Sequence, residues 1–395
     1  QQLLLLLLNN YYIYLYSTGK GIKSFMKIIC EQHKLINSIN IALRAVSSKT
    51  TMPILECLII QAESDTIKLI ANDLEIGIET ILEGNIVEPG TIALNAKIFS
   101  DIVRKLPDSD VTIETDDNYK TTITSEKAEF TIYGFSGDEF PYLPKFEKTD
   151  PVVLSQFSLK EVIRQTVFSI SDSDSSKIMS GELFEIKENN LKVVALDGHR
   201  ISVRNIELED NYDHIKVIVP GKTLIEISKI LSGEIADEVN MYFTDKHILF
   251  EFDQTIVLSR LIEGEYFNIS QMFSGDYETK VSINKSEMLR CIDRSTLLVK
   301  ETDKKPIVFN ITDEKIEFKM NTSIGSMSDE INISKSGKDM LIGFNPRFLL
   351  DALRVIDDET IDIYFINPKA PCFIKDEEET YMYLILPVNI NAEVY

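Results

Sequence analysis

Reactive side chains do chemistry only at short, defined separations, and this chain of 395 residues offers few candidates. Its histidines (His33, His199, His214, His247) and cysteines (Cys30, Cys57, Cys291, Cys372) lie far apart, with no CxxC pair and no metal-ligand spacing. Scattered, unpaired cysteines point to a reducing, cytoplasmic setting. There is no GxxxxGK[ST] loop, no GxGxxG after a strand and no GxSxG elbow. The run SDSDSS at 171–176 reads as a polar loop rather than a phosphorylation or metal site. Asp and Glu total 63, and no two of them stand out as a general acid–base couple. The sequence therefore predicts no catalytic residue, no metal and no cofactor.

What recurs at fixed spacing is positive charge. Lys97 and Arg104, Lys222 and Lys229, and Arg347 and Arg354 are each seven residues apart, two turns of a helix. In the first of these segments Phe99, Ile102, Val103 and Leu106 form the opposite, apolar face. Three earlier segments, His33–Val46, Ser158–Ile170 (with Arg164) and Asn284–Val299, share the helical period. All six are net positive, although the chain as a whole carries −22. A solvated face with ion pairs is one reading, because Asp101, Glu226 and Asp351 follow the first base by four residues. Six basic helices in so acidic a chain favour a collective electropositive face that attracts phosphate without reading bases. No aromatic is interleaved with the bases, so duplex rather than single-stranded DNA is expected.

The elements that carry these bases repeat. LNAKIFSDIVRKL from Leu94, VPGKTLIEISKIL from Val219 and FNPRFLLDALRVI from Phe344 align without a gap, 125 residues apart. Asn95, Pro220 and Asn345 suit helix starts. The alternating segments at Cys57, Leu183 and Val308, and at Ile67, Leu191 and Ile316, keep nearly the same period. Closing strands follow near Phe130–Phe135, Ile256–Leu261 and Tyr381–Leu386. The expected architecture is α+β: three copies of a unit of antiparallel sheet with two amphipathic helices packed on it. The expected domains are 26–150, 151–277 and 278–395. Residues 1–25, with a six-leucine run and a Tyr-rich stretch, lack the basic start and long apolar core of a signal peptide. They are expected to be extraneous to the fold, which begins at Met26.

The copies differ at two places. The middle one carries Leu196-Asp197-Gly198-His199-Arg200-Ile201 where the others have Asn72-Asp73-Leu74-Glu75 and Asn321-Thr322-Ser323-Ile324. The third ends in an apolar strand, Tyr383-Leu384-Ile385-Leu386-Pro387-Val388, with no linker after it. A Gly-His-Arg turn is not needed by the shared fold. It reads either as an ordinary turn or as a surface site, and an apolar strand beside it could line a pocket for a peptide.

From Met26 onward the chain resembles the bacterial beta sliding clamps, the processivity subunits of replicative DNA polymerase. The resemblance is carried by TTMPIL at 50–55, LDGHR at 196–200, VIVPGK at 217–222, IGFNPRFLLDAL at 342–353 and YLILPV at 383–388. It implies a head-to-tail homodimeric, pseudo-six-fold ring with sheets outside and helices inside, closed around duplex DNA, with no catalytic activity of its own. It implies DNA contacts at Lys49, Lys97, Arg104, Arg164, Lys177, Lys222, Lys229, Arg347 and Arg354. Lys177 stands where the family often has an aromatic. The resemblance also implies a pocket for short linear peptides of polymerase, clamp loader and repair proteins. Its residues would be Met179, Leu196, Gly198, His199, Arg200, Ile201, Leu384, Ile385, Leu386, Pro387 and Val388, with Met272 and Pro371 nearby. Two positions depart from the family pattern: Phe267 replaces a common proline and Gln271 an arginine. The run Asn389–Tyr395 extends past the usual end and is expected to shield part of the pocket. A peptide-binding scaffold that does not encircle DNA is the competing reading.

Overall fold

The computed structural model describes residues 26–47, 49–171, 176–269, 272–273, 276–298 and 305–390. Residues 1–25, Gln271, the centre of the 171–176 run, Val299 and residues 391–395 lie outside the described residues. The chain forms two compact units: everything described up to Phe146 together with Asp253–Val257, and Glu147–Phe252 with everything described after Leu258.

Six α-helices occur among the described residues, two in each repeat. They are α1 (Gln32–Ala42), α2 (Ala96–Val103), α3 (Gln156–Thr166), α4 (Gly221–Ser228), α5 (Lys285–Thr296) and α6 (Pro346–Val355). The starts of α2, α4 and α6 keep the 125-residue period of the sequence. Local chemistry fixes these starts. The Asn95 carboxamide oxygen accepts the Ile98 N–H at 3.1 Å, and Asn345 accepts that of Arg347 at 3.1 Å. Pro220 starts α4 without a side-chain cap. Helix α2 is shorter than the apolar period over 94–106 predicts. Leu94 and Asn95 end the strand Gly90–Asn95, and beyond Val103 the last turn tightens before Pro107, with Lys105 N–H reaching the Ile102 carbonyl at 2.9 Å.

The strand pairings described below are antiparallel. In the first unit, Asn85–Glu88, Met26–Glu31, Asp110–Thr115, Lys120–Ser125 and Ala128–Tyr133 form a five-stranded sheet in that order. In a second layer of that unit, Cys57–Glu63 lies between Thr66–Asn72 and Gly90–Asn95. Phe99 and Val103 of α2 and Leu35 and Ile39 of α1 are fully buried. The second unit differs from the expected short strands. The middle repeat makes one long hairpin, Gly181–Leu196 with Arg200–Pro220, whose pairing is irregular between Ile186 and Asn190. Strand Tyr381–Ile385 of the third repeat pairs with the start of its second arm, Ile201 opposite Leu384. One seven-stranded sheet therefore runs from the second repeat into the third. Behind it the four helices form a row: α4 packs on α3, α3 touches α6, and α6 packs on α5. The Gln165 amide reaches the Val355 carbonyl at 3.4 Å, joining α3 to the end of α6.

One buried acid sits under this row. Glu182 is wholly inaccessible, and its Oε2 lies 2.9 Å from the Thr166 hydroxyl. That hydroxyl is also 2.7 Å from the Val162 carbonyl and owns a single proton. The one proton is shared between the two acceptors, and the other carboxyl oxygen, Glu182 Oε1, has no hydrogen-bond partner. Burial pushes the Glu182 carboxyl up to about 8. In the unfolded chain it ionises at the ordinary glutamate value. Below that value both states are protonated; above it only the unfolded state ionises, and stability falls until the folded group ionises near pH 8. Unfolding measured against pH is expected to show Glu182→Gln losing this decline and gaining a few kcal/mol over the parent at pH 8, at about 1.4 kcal/mol per unit of displacement. A parallel decline in both proteins would show that another group is responsible.

Candidate partner pocket and basic helix faces

The Asp197–Arg200 turn is built by one carboxylate. Asp197 Oδ1 accepts the N–H of His199 at 2.9 Å and of Arg200 at 3.1 Å, an Asx turn that pulls the chain round. Gly198 sits in this turn at φ +85°, the left-handed region that other residues enter at a cost. Arg200 then locks the turn to its surroundings. Its Nε donates to Asp197 Oδ2 at 3.0 Å, one terminal nitrogen donates to Asp351 of α6 at 2.6 Å, and the other to the Phe168 carbonyl. The guanidinium lies over the rings of Phe348 (4.6 Å) and Phe168 (5.4 Å), while His199 stacks on Phe348 at 5.9 Å. With its side chain 11% exposed, Arg200 is structural first and presents only an edge outward.

Beside the turn opens a cavity of about 460 Å³ with almost wholly apolar walls. Met179, Leu196, Gly198, His199, Arg200, Ile201, Met272, Pro371, Leu384 and Leu386 line it, so residues as far apart in sequence as Met179 and Leu386 meet there, as the resemblance implies. The other three expected residues do not line it. Ile385 is 1% exposed and points into the core of the third repeat, because side chains alternate along the strand and Leu384 and Leu386 take the cavity side. Leu386 N–H bonds the His199 carbonyl at 2.9 Å, after which the chain turns off: Val388 N–H bonds the Gly343 carbonyl at 2.8 Å and Pro387 is half-buried. The extension is held there too, with Ile390 against Gly343, so its described part, Asn389 and Ile390, is not on the cavity wall. Phe267 adds a wall where a proline was the family pattern. Phe267 lies within the linker GEYFNI, at the position where the resemblance put the family's proline.

The expected DNA-facing residues are all on the surface, but their partners differ. Lys49, Lys97, Arg104, Lys177, Lys222, Lys229, Arg347 and Arg354 are exposed, and Arg164 is half-buried. Lys229 pairs with Glu226 at 2.7 Å, Arg354 with Asp293 at 3.3 Å, and Arg164 with both Glu161 and Asp357. Arg104 bonds the Asn40 carboxamide at 2.8 Å. Lys97 and Arg347 make no ion pair among the described residues. The sequence allowed Asp351 to neutralise Arg347 four residues away; instead Arg200 takes Asp351. Surface pairs of this kind contribute about 0–1 kcal/mol and exchange readily for a phosphate oxygen. The cysteines are packing residues: burial pushes the Cys30, Cys291 and Cys372 thiols up to about 12, far from a nucleophile's range.

Comparison with known proteins gives one consistent family. Models of the DNA polymerase III beta subunit match in order: its N-terminal domain over residues 26–144, its central domain over 153–268 and its C-terminal domain over 270–389. A curated beta sliding clamp of Staphylococcus aureus is 33% identical over 374 residues, covering 92% of this chain and 99% of the relative. A crystal structure of a putative DNA polymerase III beta subunit from Eubacterium rectale is 62% identical with a TM-score of 0.90, covering 92% of this chain and all of that one. The sliding clamp of Bacillus subtilis is 34% identical, also at 0.90, covering 93% and 100%.

The turn geometry separates conformation from sterics. A Cβ at Gly198 would meet nothing within 4 Å, so Gly198→Ala is expected to cost only backbone strain, about 1 kcal/mol. Urea unfolding should show a lowered midpoint with an unchanged slope. A loss of several kcal/mol would mean the turn tolerates no side chain at all.

Proposed function

Given that the chain belongs to the DNA polymerase III beta subunit family and is a DNA sliding clamp of replication, we propose how its residues do that work. Two copies close head to tail into a ring around duplex DNA, and the basic faces of the helices line the hole. The observation that carries this is the charge division: exposed bases on or directly after four of the helices (Lys97 and Arg104, Lys222 and Lys229, Arg290 and Arg294, Arg347 and Arg354), in a chain of net charge −22. Acidic surface elsewhere repels phosphate, so the duplex is held where the helices are. Contacts to phosphate alone are sequence-independent and allow sliding. Retention is then topological. The ring acts as an accessory without catalysis of its own, in the cytoplasm. Its three domains are placed at 26–150, 151–277 and 278–395, a division supported by the three successive family matches.

Two sheet edges with no further strand among the described residues support the closure. In the first unit, strand Ala128–Tyr133 ends its sheet with Phe130 39% and Tyr133 73% exposed. In the second unit, strand Gly325–Asn332 ends a four-stranded sheet, and Leu297, at the end of the neighbouring α5, is 80% exposed. Unprotected edges with apolar residues are hazards unless another chain covers them. Joining one edge to the other between two copies covers both pairs, and a two-fold axis closes the ring. The apolar cavity at the Gly198–Arg200 turn takes the short linear peptides through which polymerase, clamp loader and repair proteins are tethered.

Protein loaded on a nicked circular plasmid should stay bound and be lost when the circle is cut; retention on the linear form, or none on the circle, would sink the ring. The triple change Lys97→Glu, Lys222→Glu and Arg347→Glu should abolish retention while sedimentation still reports a dimer. Phe130→Asp or Leu297→Asp should give folded monomers, and a dimer that survives both would place the interface elsewhere.

A further inference from the structure

Phe267 has two sides. One closes the apolar cavity; the other borders a second groove, of about 800 Å³, on the same sheet face. The ring is 41% exposed and stands edge-on to Tyr266, centroids 6.1 Å apart. Tyr266 is pinned in turn, its hydroxyl donating to the Val194 carbonyl at 3.1 Å. The segment bearing both is tied down by Leu261 N–H to the Lys246 carbonyl and Ile262 N–H to the Ile218 carbonyl. The chain that carries the partition is thus tied to the sheet at Leu261, Ile262 and Tyr266.

The groove lining is mixed, part buried and apolar, part charged. Its floor, with Leu183, Ile218 and Ile262, belongs to the same buried cluster as Leu196, Ile201 and Leu384 beneath the cavity. The rest of its lining includes charged side chains. Glu185, Asp245, Glu263 and Glu265 stand there against Lys192 and Lys216, four carboxylates to two ammonium groups. Glu185 meets His214 at 3.4 Å, while Asp245, Glu263 and Glu265 make no ion pair among the described residues. An arriving cation would find carboxylates that are not already neutralised, whereas an anionic flank would be repelled.

We infer that this groove receives the basic flank of the same linear peptide whose apolar part fills the cavity, so that lysine or arginine residues adjoining the apolar motif raise affinity for this chain. The inference rests on the reading of the cavity as a peptide site. Phe267 is the residue over which the peptide crosses, one face buried by the apolar motif and the other by the aliphatic stem of a basic side chain. Apolar burial supplies most of the affinity; the rim carboxylates set the association rate and discriminate between flanks.

The test uses the full chain and fluorescent peptides that share one apolar motif and carry three lysines, three serines or three glutamates at either end. Anisotropy at low salt should give lysine peptides, at one of the two ends, about fivefold tighter binding than serine peptides, with glutamate weaker still. High salt should erase the difference. Glu263→Lys combined with Glu265→Lys should invert the ranking. Glu88→Lys combined with Asp117→Lys, the same charge change at exposed sites of the first unit, should not. Flanks without effect while the serine peptide binds would overturn the groove and leave the cavity reading intact; equal shifts in both double variants would reduce the effect to net charge and also overturn it. If no peptide binds and Leu386→Asp changes nothing, both the inference and the cavity reading fall.

Discussion

A single guanidinium organises the second unit. Arg200 leaves a turn of the second repeat and is bonded to Asp197 beside it, to the Phe168 carbonyl after α3, and to Asp351 on α6 of the third repeat. A cation this far out of water is tolerable only when its donors are matched, and the loss of one partner would leave charge stranded. Its planar shape fits between Phe168 and Phe348, a fit that lysine lacks. The cavity wall, the approach of α3 to α6 and the join between the two repeats all depend on these contacts.

Arg200 also affects the distribution of charge. By taking Asp351 it leaves Arg347 on the same helix without a partner among the described residues. Other bases of the helix row are held in surface pairs, as Lys229 is with Glu226. The helix faces are thus a mixture of free cations and loosely held ones, which suits weak contact with a uniform polyanion better than tight binding at a point. A lining that bound phosphate strongly would impede the sliding on which the family's work depends.

The hairpin of the second repeat shows how one unit is adapted without losing the fold. It contributes the Asx turn, the Leu196 and Ile201 walls, and the edge to which Tyr381–Ile385 pairs. The partition at Phe267 then divides the space beside it into an apolar and a polar part.

Much of this was legible in the chain itself. The 125-residue period, the helix starts at Asn95 and Asn345 and the basic faces follow from local rules of spacing and capping, which act within a few residues. The Gly198-His199-Arg200 departure marked a site because nothing in the shared unit required it. Other features depended on contacts between distant segments, which no local pattern encodes. The resemblance implied Ile385 as a pocket residue, yet strand alternation and pairing with the hairpin turn it into the core while Leu384 and Leu386 face the cavity. Asp351 looked like a partner for Arg347 until the fold brought Arg200 to it from 151 residues away. The protonation of Glu182 depends on burial beneath the packed helices. The sequence by itself determined which segments become helices and strands and where charge accumulates, because those depend on near neighbours. Only the tertiary structure decided which charges pair, which apolar residues remain open and what lies beside what, because desolvation and packing are set by residues far apart in the chain.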